Sequence, residues 1–233
     1  MRLDRFLASQ GPWSRKEAKK LVKAGRVVVG DRPARRPDEQ VDPERVPVFV
    51  DGERLPYRRH RHLLVYKPPG VLSATRDREL PTVLDLVPTE LAARGLGLAG
   101  RLDKDAEGLV LLTTDGELAH RLTHPRWKVE KVYEVTLDAP VGEDEARKFA
   151  EGVLGFQPAR LEPLPGARAR VVIREGKHHQ VKRMFRAVGR EVKRLFRVRL
   201  GPLELGGLAP GEARELTPEE ARSLYRAVGL GEE

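Results

Sequence analysis

Residues 100–116, GRLDKDAEGLVLLTTDG, fall into three parts. Residues 100–105 crowd two carboxylates and two cations together, with Arg101, Asp103, Lys104 and Asp105 almost adjacent. Residues 109–112 are an uninterrupted apolar run between Gly108 and Thr113, the length of a fully buried strand. Asp115-Gly116 signals a turn, and residues 117–122 read as a helix. A charged loop that enters a buried strand can hold a reactive carboxylate in one place. A solvated turn is the plainer reading of any D-x-D loop, and the neighbouring motifs decide between the two.

The 233 residues suffice for a sizeable core and more than one domain. No apolar run approaches the roughly 18–20 residues that span a bilayer. The opening MRLDRFLASQ lacks the apolar core of a signal peptide. These features predict a cytoplasmic protein with no membrane partner. Cysteine is absent, which excludes disulfides, Cys-based zinc sites and thiol nucleophiles. The net charge of +9 is unevenly spread. Residues 1–60 carry 15 Lys/Arg against 9 Asp/Glu, and residues 168–199 carry 12 against 2. Two basic blocks on a mildly acidic body fit a polyphosphate partner.

Leu3, Phe6 and Leu7 have helical spacing, and Gly11-Pro12 ends that helix. Ser14-Arg15-Lys16-Glu17 is a capping-box signature. Ala18, Leu21 and Val22 form one apolar face, with Gly25 as the stop. The other face shows Arg15, Lys16, Lys19, Lys20 and Lys23. Residues 26–29 read as a strand, and Val46, Val48 and Val50 alternate in a second. Residues 55–62, LPYRRHRH, show no apolar periodicity and read as a linker with solvated histidines. A strand over 63–66 then ends at the prolines of Lys67-Pro68-Pro69-Gly70. Residues 82–87 read as a short helix. His120 and His124, at i and i+4, could present two ligands on one helix face. Pro125 ends the helix there, and no metal site is expected.

Residues 131–137 alternate at period two, with Tyr133, Val135 and Leu137 on one face. Residues 142–151 read as a helix and 156–166, with three prolines, as a loop. Residues 168–174 read as a strand, 179–187 as a helix, and 192–200 as a final strand or strand pair. Leu216-Thr217-Pro218-Glu219-Glu220 is a capped helix start.

Residues 1–50, two small helices followed by R-V-x-V-x-G, resemble the S4 RNA-binding domain. The loop G-R-L-D-x-D, the K-x-Y of Lys131 and Tyr133, K-P-P-G, and E-G-K-x-H-Q-V-K-R-M at 175–184 together resemble the pseudouridine synthases of ribosomal RNA. The H-Q-V-K-R-M form is most similar to members that modify small-subunit RNA. The resemblance implies an α+β protein: an S4-like domain over 1–54, a linker over 55–62, and a catalytic domain over 63–233. That domain would have a mixed, mainly antiparallel sheet with flanking helices. Asp103 would be the catalytic carboxylate and Tyr133 would lie over the target base. Lys182 would keep Asp103 ionised, with Arg183 as runner-up. Arg101, Lys131, His179, Gln180 and Arg183 would contact RNA, as would the basic helix of the S4-like domain. The isomerisation imports no group and changes no oxidation state, so no cofactor or metal is implied. The implied partner is ribosomal RNA, small-subunit RNA or its assembly intermediate, acted on by a monomer.

Three other readings make different demands. A large-subunit synthase would share every motif. A metal-dependent nuclease could use Asp103 and Asp105 as magnesium ligands, but no third acid stands at a recognisable spacing. A non-enzymatic S4-type RNA-binding protein would make Asp103 dispensable.

Overall fold

A computed structural model describes residues 1–93 and 95–231. Two compact units emerge, Met1–Arg61 with Pro88–Leu96, and His62–Val87 with Gly97–Glu233.

In the first unit, α1 (Leu3–Gln10) buries Leu3, Phe6 and Leu7. Ser14 caps α2 (Arg15–Lys23): its hydroxyl accepts from the Glu17 amide at 3.2 Å, and the Glu17 carboxylate accepts from the Ser14 amide at 2.7 Å. Gly25, at φ +70°, turns the chain out of that helix. Ala18, Leu21 and Val22 pack with α1 and with Val27, Val29, Val48 and Val50 in one core. A small antiparallel sheet of β1 (Val27–Val29), β2 (Arg32–Pro33), β3 (Val48–Val50) and β4 (Glu53–Leu55) runs in the order β2-β1-β3-β4. The edge strands β2 and β4 are too short to carry a periodicity.

The second unit is a mixed sheet. Its strands are β5 (His62–Lys67), β6 (Gly97–Leu98), β7 (Glu107–Thr113), β8 (Lys131–Leu137), β9 (Arg160–Leu164), β10 (Arg168–Ile173), β11 (Val192–Leu200), β12 (Leu203–Glu204) and β13 (Ala213–Glu215). The main path runs β13-β5-β7-β11-β8-β10-β9. Among the described strand pairs only β7–β11 is parallel; an isolated parallel bridge joins Leu72 and Thr82. Every residue of β7 is buried, as its apolar run requires. Helices α3 (Gly116–Thr123), α4 (Glu143–Glu151), α5 (Gln180–Ala187) and α6 (Pro218–Ala227) complete the unit. Asp115 caps α3 by accepting from the amides of Glu117 and Leu118, and Thr217 caps α6.

The seam between β7 and β11 explains a glycine. Gly108 sits at φ +110°, and a Cβ there would lie 2.3 Å from the Arg197 carbonyl oxygen and 2.8 Å from its nitrogen. A side chain would force the parallel strands apart.

Three expectations fail. Residues 82–87 form turns instead of a helix, with Thr82 donating to the Asp85 carboxylate from both its amide and its hydroxyl. The two i→i+3 bonds there close separate turns, and Pro88 bars extension. The proline-rich stretch 156–166 contains β9, because an edge strand tolerates a residue without an amide donor such as Pro163. His62 is no solvated linker residue. It opens β5 opposite Thr113, is buried, and its Nδ1 lies 2.8 Å from the Thr113 hydroxyl.

Candidate active site

The Asp103 loop is clamped before it enters β7. The Lys67 ammonium, fully buried, donates to the carbonyls of Pro68, Lys104 and Ala106 at 3.1, 3.1 and 2.6 Å. That uses all three of its protons. Burial pushes its pKa down to about 8, against the pull of Asp105, Asp103 and Glu107. The Gly70 amide donates to the same Lys104 carbonyl at 2.8 Å. The Ser73 hydroxyl donates to the Leu102 carbonyl at 2.8 Å and accepts from the Leu102 amide at 2.9 Å. K-P-P-G is therefore the clasp of the loop, and Lys67 and Ser73 are positioning residues that the sequence left unassigned.

Asp103 is partly buried between two basic side chains. Its Oδ1 lies 3.5 Å from His179 Nε2 and its Oδ2 lies 3.5 Å from Lys182 Nζ. Lys182 is closer to Asp105, at 2.6 and 2.7 Å from its two oxygens. That hydrogen bond holds the Asp105 carboxyl below the usual carboxylate range. Lys182 is thus shared by both acids of the D-x-D loop. His179 reaches Asp103 because it caps α5 from the left-handed region, at φ +49°. Behind it, buried Glu175 accepts from the Gln157 amide and the Gln180 side chain at 2.8 and 2.9 Å. Gln180 also accepts from the Lys177 amide at 3.0 Å, so its polar atoms hold the 175–180 turn together.

Asp103 lines two cavities. The inner one, of about 270 Å³, has a floor of side chains from three neighbouring strands: Ile173 from β10, Lys131 and Tyr133 from β8, and Leu195 and Arg197 from β11. Register places them on one face, with Ile173 opposite Lys131, and Arg197 opposite Tyr133. The outer groove, of about 470 Å³, is lined by Arg101, Lys104, Lys177, His178 and His179 around Asp103. A largely apolar chamber beside a cationic groove can hold one base while its backbone lies outside.

Of the residues singled out in the sequence, Arg101, Asp103, Lys131, Tyr133, His179 and Gln180 line the inner cavity. Lys182 reaches the site through Asp103. Arg183 does not come to either cavity: it is exposed, with its guanidinium 4.9 Å from the centre of the Phe156 ring. Next to Lys182 on a helix it faces another way, which removes it as a substitute. In the first unit Lys16, Lys19, Lys20 and Lys23 are exposed along α2, while Arg15 lies 3.4 Å from the buried Asp4 carboxylate. His120 and His124 pack against each other and Trp127. Among the described residues no group of three or more His, Asp and Glu could hold a metal ion. Sequence reading passed over Arg197, which is buried yet lies in the most basic stretch of the chain.

The fold and this site define an RNA pseudouridylate synthase, and the chain belongs to that family, which matches residues 61–187 after an S4 domain matching residues 1–46. The protein is therefore an isomerase of the pseudouridine synthase type. It is 46% identical over 233 residues to an uncharacterized RNA pseudouridine synthase of Aquifex aeolicus, covering 98% of each chain. It is 43% identical over 232 residues to the ribosomal small subunit pseudouridine synthase A of Escherichia coli K12, covering 96% of this chain and all of that one. A crystal structure of a pseudouridylate synthase superposes with a TM-score of 0.67 at 36% identity, covering 96% and 99% of the two chains.

Proposed function

We propose that the protein converts a uridine of small-subunit ribosomal RNA to pseudouridine, with Asp103 as its nucleophile and no cofactor, as a cytoplasmic monomer. One observation carries the reading: Asp103 stands at the junction of a base-sized chamber and a cationic groove, with Lys182 and His179 at its two oxygens. The likeness to the Escherichia coli small-subunit enzyme supports the choice of RNA.

The reaction breaks the bond from ribose C1′ to uracil N1, turns the base, and joins C1′ to C5. The C5 proton leaves and N1 gains one, so the atoms balance. The flipped base enters the inner chamber, where Tyr133 stacks on it and Ile173, Leu195 and Leu102 exclude water. Lys182 and His179, each 3.5 Å from one Asp103 oxygen, hold the carboxylate at the mouth of the chamber. Asp103 then attacks C6, attacks C1′, or removes the C2′ proton. Arg101, Lys104 and Lys177 receive the phosphates on either side of the flipped nucleotide. The S4 unit supplies a second grip through the exposed lysines of α2. Gln180 serves by shaping the turn that carries His179.

Mapping pseudouridine in both ribosomal RNAs, with and without the protein, tests the substrate. Asp103→Asn keeps the shape and loses the nucleophile, so the product should vanish while RNA affinity stays within a few-fold. Product on large-subunit RNA alone would transfer the assignment to that RNA. Full activity of Asp103→Asn would remove Asp103 from the chemistry.

A further inference from the structure

Among the described residues, two buried cations in the floor of the inner chamber have no counter-ion. Lys131 is 6% exposed and Arg197 is 1% exposed. The Lys131 ammonium donates to the Val129 carbonyl at 3.3 Å, and Arg197 Nε donates to the Leu109 carbonyl at 2.7 Å. Arg197 Nη2 is buried without a hydrogen-bond partner. Among the described residues no carboxylate pairs with either side chain, and the Arg197 charge adds to burial in pushing the Lys131 pKa down.

Packing alone does not call for this. Ile173 and Leu195 fill the same face with apolar groups, and a buried unpaired charge costs several kcal/mol. Strand register sets both cations beside Tyr133 in the lining of the same chamber. Lys131 is two residues before it on β8, and Arg197 is directly opposite on β11. A base stacked on Tyr133 would have both cations as neighbours.

We infer that Lys131 and Arg197 are catalytic residues that form a two-cation floor for the negative charge that moves onto the uracil ring during isomerisation. The inference rests on the inner chamber being the base pocket of Asp103. It holds for each route open to Asp103. If the carboxylate adds to C6, the electron pair of the ring's double bond moves toward O4. If it displaces the base from C1′, or if a glycal forms, the pair of the broken bond stays on N1 and spreads to O2 and O4. Each route makes a uracil anion from a neutral ring, and the charge disappears when C1′ joins C5 and the C5 proton leaves. Charges fixed in a dry site before the reaction act mainly on that anion, which lowers the barrier instead of tightening substrate binding.

The test compares wild type, Lys131→Met and Arg197→Met on a ribosomal RNA fragment carrying uridine or 5-fluorouridine at the target. Fluorine withdraws electrons, so the ring then carries part of the charge itself. Single-turnover cleavage of the C1′–N1 bond is read by nuclease digestion and chromatography. On uridine each variant should lose on the order of 10²–10³-fold in rate, and on 5-fluorouridine the loss should shrink by about tenfold or more, with RNA affinity unchanged. Equal losses on both RNAs would make the pair structural and overturn the inference. So would a loss confined to RNA affinity and its salt dependence, which would put the cations on a phosphate. If Arg197→Met fails to fold, Lys131→Met decides, because its methionine has a stem of similar length. A binding measurement stands beside the kinetics. 5-Nitrouracil, ionised at neutral pH, should bind wild type more tightly than uracil, and Lys131→Met should lose that preference; no preference in wild type overturns the inference. Wild type that makes no pseudouridine, or an active Asp103→Asn, would instead sink the reading of Asp103.

Discussion

Replacing Lys131 by Met should make the protein more stable and a worse enzyme. Burial, followed by the nearby charge of Arg197, pushes the Lys131 pKa from 10.5 down to about 8. At about 1.4 kcal/mol per tenfold change in acidity, keeping this ammonium charged at pH 7 costs the fold about 3 kcal/mol. Methionine removes the charge and keeps the stem. It also loses the bond to the Val129 carbonyl, which offsets about 1 kcal/mol. The net gain is about 2 kcal/mol, or roughly 4–8 °C in Tm for a unit of this size. The pH dependence has a definite sign. Between pH 8 and 10.5 the unfolded chain holds a proton on this lysine that the folded chain has released, so wild-type stability rises across that window. The variant lacks this rise, and its advantage should be full below pH 8 and fade toward 10.5. Lys67 titrates in the same window in both proteins and drops out of the difference. Thermal or guanidinium unfolding of both proteins at pH 7 and pH 10 measures it. A variant that is less stable at pH 7, by an amount independent of pH, would refute the reasoning: the charge would then be compensated within the fold, and the case for an incoming anion would lose its energetic basis.

Lys182→Met should lower turnover on the order of 10²-fold, because Asp103 loses a cation 3.5 Å away; unchanged single-turnover rates would leave His179 as the partner that matters. Asp105→Asn should stay within a few-fold of wild type, since it frees Lys182 for Asp103; loss of product comparable to that of Asp103→Asn would exchange the roles of the two acids. Neutralising Lys16, Lys19 and Lys20 together should weaken RNA binding and flatten its salt dependence, by a log–log slope of roughly 0.7 per lost phosphate contact on single-stranded RNA. Titration at several salt concentrations reads this, and an unaltered slope would make α2 a solvated face. At saturating RNA the single-turnover rate of that triple variant should match wild type.

Much of the molecule was legible because its signals are local. The Ser14 and Thr217 caps, the stop at Gly25, and the buried run of β7 each rest on a few neighbouring residues. The strands that escaped are short or irregular. β2, β4, β12 and β13 span two or three residues, and β9 hides behind Pro163, which only an edge position excuses. The site divides in the same way. Asp103, Tyr133 and Lys182 stand in recognisable motifs, whereas the sharing of Lys182 with Asp105 is a tertiary fact. Arg197 was invisible for a physical reason. Its stretch is so basic that it reads as surface, and only pairing with β8 turns this one arginine inward, opposite Tyr133. His62 failed similarly, since a histidine in LPYRRHRH gives no hint that Thr113 awaits it.

The parallel seam at Gly108 has a consequence for how the molecule is made. β11 lies between β7 and β8, although it is synthesised after both. A chain emerging from the ribosome exposes the Asp103 loop and Tyr133 well before Lys182 and Arg197. Until residue 200 is out, β7 and β8 lack the strand that joins them, and each keeps an open edge. The nascent chain would thus pass through a stage in which its RNA-holding unit is complete and its chemistry is absent. Sheet closure by β11 is a late step of assembly, and it completes the site of an enzyme whose earlier segments could already have found RNA.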